Sequence, residues 1–311
     1  MNYEEKLFEL THKNENIIIL TAENRASIRN LPKVIPNKFI DTGICEQTLV
    51  GISAGLALRN RIPIVHGIAA FLTMRSFEFI RTDIGYPNLN VKLVGNFAGF
   101  LSEGNGPTHQ AIEDISLMRC IPSMNIFCPA DIDDLIKGLS TIINFNRPFY
   151  IRYNDLPSIV EHEEFALGKA EVFGEGNEIG IIVYGTLFSE TFKAKEILEA
   201  EGYSVRLINL RTIKPIDEYE IINTINSCKT IISVEDHFKI GGLYSIISEI
   251  LVKEKLISDF LAINLQNKFF KPAKLKNILS YEGFNAIQIV NRIKEYLHKK
   301  EKKFNVEWSN V

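Results

Sequence analysis

The chain has 311 residues, a net charge of −3, and 46% hydrophobic against 23% charged residues. That is the balance of a soluble globular protein too long for one ordinary core, so two domains are expected, and no basic footprint for nucleic acid is present. The densest basic run, His298, Lys299, Lys300, Lys302 and Lys303, reads as a solvated helix end. The first residues, MNYEEKLFEL, are polar and acidic without the apolar stretch of a signal peptide. No apolar run approaches the roughly 20 residues that span a bilayer, so a cytoplasmic protein off the membrane is expected. Cys45, Cys120, Cys128 and Cys228 form no C-x-x-C pair and read as buried, reduced thiols, with neither disulfide nor metal.

Short apolar runs then alternate with amphipathic stretches. Ile17–Leu20 reads as a strand and Cys45–Asn60 as a helix whose Gly51, Ala54 and Gly55 allow close packing. Ile62–His66 is a strand, Met74–Ile84 a helix, Val91–Gly95 a strand and Ala111–Arg119 a helix. Asn125–Pro129 is a strand that runs into Asp131, the predicted N-cap of the next helix, and Pro148–Arg152 is a further strand. Strict alternation predicts a mainly parallel sheet covered by helices on both faces. The polar, glycine-bearing stretch Asn154–Glu178 separates this unit, residues 1–160, from a second at 179–311, with the linker at 161–178. The second unit repeats the pattern, with strands at Ile179–Gly185, Ser204–Leu210, Thr230–Asp236 and Leu261–Leu265 between helices, and reads as a smaller α/β domain.

Ligands of open parallel sheets gather at the carboxyl ends of the strands, and three loops there stand out. FIDTGICEQ places Glu46 just inside a helix start, where it reads equally as a carboxylate favoured by the helix dipole or as a functional acid. VHGIAAFLTMRSF carries His66, Phe71 and Phe77, for which a satisfied buried histidine and core aromatics are the plain alternative. NFAGFLSEGNGPTHQAIED carries two glycines and a proline before His109, but neither a Walker A motif nor a full G-x-G-x-x-G.

Taken together, FIDTGICEQTLVGISAGLAL, FLTMRSFEFIRTDI, GPTHQAIEDISLMRCIP and PAD resemble, in that order, the pyrimidine-binding half of transketolases and of the related deoxyxylulose-phosphate synthases. The resemblance continues through YGTLFSETFKAKEILEAEG, INLRTIKPID and VEDHFKIGG, and so covers about Ile17 to Leu297. It implies a thiamine-diphosphate pyrimidine-binding fold followed by a transketolase C-terminal domain. It implies catalytic roles for Glu46, at the cofactor's aminopyrimidine N1′, and for His109, facing substrate hydroxyls. A buried carboxyl with a raised pKa would suit Glu46. Phe71 falls on the aromatic that packs on the pyrimidine, with Ile68 and Phe77 as walls, and Glu23 on an acidic residue near the cofactor. Ser27 and Arg152 fall on residues that bind the acceptor's phosphate.

No G-D-G occurs in the chain, so the resemblance implies that Mg²⁺ and the diphosphate are held by a partner subunit with a G-D-G…N motif. An α2β2 heterotetramer that transfers a two-carbon ketol unit between sugars or sugar phosphates follows. The β subunit of a 2-oxoacid dehydrogenase E1, a pyruvate-using synthase and a subunit that has lost catalysis are the rival readings. Within the active-site loop, Phe97 replaces a phosphate-contacting histidine and Asn105 an aspartate that contacts a donor hydroxyl. His66 and Gly67 stand where the family tends to carry Ala or Ser and Thr. These departures predict altered substrates, with Asn105 and His66 as substrate contacts.

Overall fold

In the computed structural model, which describes residues 1–308 and side chains to residue 300, two sheets carry the molecule. The first has strands β1 (Ile17–Thr21), β2 (Phe39–Asp41), β3 (Ile62–Ile68), β4 (Lys92–Asn96), β5 (Asn125–Phe127) and β6 (Phe149–Arg152). The second has β7 (Glu171–Phe173), β8 (Ile179–Val183), β9 (Val205–Asn209), β11 (Thr230–Val234) and β12 (Phe260–Ile263), while β10 (Thr212–Lys214) lies between β9 and β11 in the chain. The orders are β10-β5-β6-β4-β3-β1-β2 and β12-β11-β8-β9-β7. All pairings are parallel except β10 with β5 and β7 with β9. Strands β4, β6, β8 and β11 are buried along their whole length, which is why their sequences run apolar rather than alternating.

Helices α1 (Tyr3–Lys13), α2 (Leu31–Val34), α3 (Glu46–Leu58), α4 (Phe77–Phe79), α5 (Asp114–Arg119) and α6 (Ile132–Asn144) belong to the first half. Helices α7 (Phe188–Ala200), α8 (Glu218–Ser227), α9 (Leu243–Lys253), α10 (Leu275–Glu282) and α11 (Ala286–Trp308) belong to the second. Asp131 caps α6 as predicted, accepting from the backbone N–H groups of Asp133 and Asp134. The helix expected at Met74–Ile84 starts earlier and is wider. The segments Phe71–Arg75 and Ile80–Gly85 are π-helical, and Ser76 N–H reaches back five residues to the Phe71 carbonyl.

The structure adds three features to this pattern and changes one expectation, that of four buried thiols. The linker is not structureless, because β7 within it forms an edge of the second sheet. The halves are not separate, because β10 from the second half completes the first sheet and one apolar cluster runs through Ile126, Ile213 and Ile246. The N-terminal segment is a helix, with Asn2 and Glu5 forming a reciprocal capping box. Cys128 and Cys228 are buried, but Cys45 and Cys120 are exposed. No helix among the described residues is long and apolar enough to cross a membrane.

Candidate functional site

Glu46 is the first residue of α3, whose N-cap Cys45 makes no side-chain cap. The first-turn N–H groups therefore favour an anion at this position. The carboxyl is 3% exposed and accepts a hydrogen bond from Nη1 of Arg75 at 2.8 Å. The same guanidinium lies over the ring of Phe71, 4.1 Å from its centroid. The ring of His109 is 5.0 Å from that of Phe71, and its Nδ1 meets Thr108 Oγ1 at 2.9 Å. Ile68, Phe71 and Met74 rest on a floor of small side chains, Ala69, Ala70, Ala98 and Ala111. The structure thus brings Glu46, Phe71 and His109 together from three loops, with Ile68 beside them.

The loop after β4 is tightly held. Ala98 and Ala111 bridge its two arms, and Gly99 N–H donates to the Ala111 carbonyl. Gly99 has φ +55°, and a Cβ there would sit 1.8 Å from Asp236 Oδ2, so only glycine fits. Phe97 has φ 60° and Glu23 φ 57°, both just past the carboxyl ends of parallel strands. Such left-handed non-glycine residues store strain and cluster at functional sites, a signal invisible in the sequence. Glu23 is exposed, with its N–H anchored by Asp41 Oδ1 at 3.1 Å.

Three expected site residues are placed elsewhere. His66 is fully buried, with Nε2 2.9 Å from the Tyr3 hydroxyl. Burial pushes its pKa down to about 4, so it is a neutral core histidine rather than a substrate contact. Phe77, expected as a wall of the ring site, is partly buried and groups with the main core cluster rather than with Ile68, Phe71 and Met74. Arg152 is buried between two aspartates, with Nε 3.0 Å from Asp114 Oδ2 and Nη1 on Asp236 Oδ1. Its fork is consumed by these ion pairs and does not suit a phosphate ligand. Side chains alternate along a strand, and it is Tyr153 and Asp155 that line the cavity beside Ser27.

That cavity, of about 260 Å³, is open at the carboxyl ends of β1, β4 and β6. Ser27 Oγ donates to Asn96 Oδ1 at 3.3 Å, and Phe97, Tyr153, Asp155 and Glu103 complete its polar and aromatic wall. Its lining contains two carboxylates and no lysine or arginine. Asn105 is exposed at the end of the 3₁₀ stretch Gly99–Asn105. Sequence reasoning missed Arg75, Glu103, Tyr153 and Asp155, which lie inside or next to the motifs but have no spacing signal of their own.

Among the described residues, one cluster has the spacing of metal ligands: Asp134, His162 and Glu171. Its valences are already filled. His162 bonds Asp131 and Glu171 at 2.8 and 2.7 Å, and Arg211 bonds Asp134 at 2.6 Å. It is a buried charge lock between the linker, α6 and the turn from β9 to β10.

Residues 2–156 match the model of the transketolase pyrimidine-binding domain and residues 168–289 that of the transketolase C-terminal domain. The chain is 35% identical to a putative transketolase C-terminal section of Methanocaldococcus jannaschii, covering 96% of this chain and 95% of the relative. It is 34% identical to a 6-deoxy-6-sulfo-D-fructose transketolase subunit of a Clostridium species, covering 80% and 79%. Among solved structures it superposes on a split-gene transketolase, an inactive β4 tetramer, with a TM-score of 0.84 and 31% identity over 95% of this chain and 96% of that one. The chain belongs to the transketolase family, with the pyrimidine-binding and C-terminal domains on one polypeptide as in its split-enzyme relatives.

Proposed function

We propose that this chain is the C-terminal subunit of a thiamine-diphosphate-dependent transketolase that transfers two-carbon ketol units between sugars once a partner supplies the Mg²⁺ and diphosphate site. The observation that carries this reading is the convergence of Glu46, Phe71 and His109. The residues fit the cofactor's aminopyrimidine. A buried carboxylate and an aromatic face are jointly satisfied by one flat, nitrogen-bearing donor, the Arg75 guanidinium, and a flat nitrogenous ring makes the same two demands.

Thiamine diphosphate, when bound, supplies the nucleophilic carbon of the reaction. The chain's own residues do the rest. Glu46, itself 3% exposed, holds and returns a proton at its carboxyl oxygens. Phe71 and Ile68 present the apolar face that orients the ring. His109, beside Phe71, offers its imidazole to substrate hydroxyls. The outward face of α3 supports assembly. Gly51, Ile52, Gly55 and Leu58 are exposed on it next to Ile44, and nothing lies within 4 Å of either glycine's Cβ position. An apolar face with a glycine groove, starting at the Glu46 end, suits a neighbouring subunit. The split-gene neighbour, inactive as four β chains, supports the need for a second kind of chain.

The acceptor end differs from a phosphate site. Glu103 and Asp155 in the cavity beside Ser27 repel a phosphate, while hydroxyls or a protonated amine suit it. The test is kcat/KM of the reconstituted two-chain enzyme with matched phosphorylated and unphosphorylated aldoses. Turnover favouring the unphosphorylated acceptor is expected. Absence of any ketol transfer refutes the function, and a strong phosphate preference refutes this account of the acceptor end.

A further inference from the structure

Arg75 is assigned no part in the motif reading, yet it makes both of the contacts that define the ring site. Its guanidinium donates to Glu46 Oε2 at 2.8 Å and covers the Phe71 ring at 4.1 Å. A guanidinium is planar, carries N–H groups on its rim and stacks on aromatic faces. In shape and hydrogen bonding it resembles one edge of an aminopyrimidine. Two groups cannot occupy that face of Phe71 at once.

We infer that Arg75 is the internal occupant of the ring site, which stands in for the cofactor's pyrimidine between Phe71 and Glu46 and swings outward when the ring enters. This inference rests on the function proposed above. Three features of the chain support it. Glu46 is buried, and a buried carboxylate without a counter-charge is costly, so an occupant preserves the site while it waits. Arg75 is itself 45% exposed, which gives its side chain a free path into solvent. The π-helical turn Phe71–Arg75 sets the two side chains in register, and Gln47 Nε2 on the Arg75 carbonyl at 3.2 Å ties that backbone to α3, so only the side chain needs to move. Each binding event then pays for breaking the Arg75 contacts, and the apparent affinity is reduced by the small fraction of chains in which Arg75 already points outward.

The test is calorimetric titration of thiamine diphosphate with Mg²⁺ into the reconstituted complex carrying wild-type chain, Arg75→Met or Arg75→Lys. Methionine keeps the stem and removes the planar charge. We expect it to bind about tenfold more tightly than wild type, with lysine in between. In the free chain, Arg75→Met should lower the melting temperature, and adding Glu46→Gln should restore it, because the uncompensated buried charge is then gone. Unchanged or weaker cofactor binding by Arg75→Met, with wild type binding normally, overturns the inference alone. No binding by the wild-type complex overturns the functional reading with it.

Discussion

Arg152 on β6 and Asp236 beyond β11 form a buried ion pair across the two halves of the molecule, with Nη1 on Oδ1 at 2.5 Å. Asp114 takes the other side of the guanidinium, Asp236 Oδ2 accepts from Phe100 N–H, and the Tyr150 hydroxyl donates to Asp114. The loop that carries His109 is thereby fastened to the second domain.

Removing the arginine leaves two buried aspartates without a counter-charge, and losing one partner of a buried pair costs about 3–5 kcal/mol. Arg152→Met should lower stability by that order in urea unfolding. It should leave the reconstituted enzyme's preference between phosphorylated and unphosphorylated acceptors unchanged. A fully stable variant with selectively weakened phosphate binding would restore Arg152 to the acceptor site.

The His162 lock sets a pH dependence. Burial alone would lower the histidine's pKa, but hydrogen bonds to Asp131 and Glu171 outweigh it and raise it to about 10 from 6.5. A raised folded pKa means the stabilisation is complete below pH 6.5 and is lost as pH rises through 10. Urea unfolding from pH 6 to 10 should show stability falling across that window. His162→Gln should be less stable at pH 6 by about 3 kcal/mol and should show a much flatter profile. An equally steep decline in the variant would remove His162 as its source.

Much of this was legible in advance, and the exceptions have physical causes. The longer parallel strands read correctly because strands buried on both faces are continuous apolar runs, and α6 because Asp131 is a strong cap. Glu46, Phe71 and His109 were located by motif, and the structure places them together. Strands β2, β7 and β10 were missed because three residues are too few to show a period, and because β10 joins a sheet from the other half of the chain. Arg152 was misread because one step along a strand moves a side chain to the opposite face. His66 was misread because its partner Tyr3 lies on a helix that the polar N-terminus concealed. Arg75 has a role only in three dimensions, where an arginine from one loop meets a carboxylate from another.

The thiols give a simple check on the packing. Cys45 and Cys120 are exposed, whereas Cys128 and Cys228 are buried and burial raises the pKa of both. An aromatic disulfide reagent should therefore titrate two cysteines quickly in the native chain and all four after unfolding. Four fast thiols in the native chain would contradict the packing around β5 and α8.

The central claim is that Glu46 works on the pyrimidine of thiamine diphosphate in a two-chain enzyme. Exchange of the cofactor's C2 proton in the reconstituted complex, followed by quenched-flow NMR, tests it without reference to any substrate. The account predicts rapid exchange in the wild type and a loss of about 10²–10⁴-fold in Glu46→Gln, with assembly and folding intact. Equal exchange rates in the two complexes would contradict it.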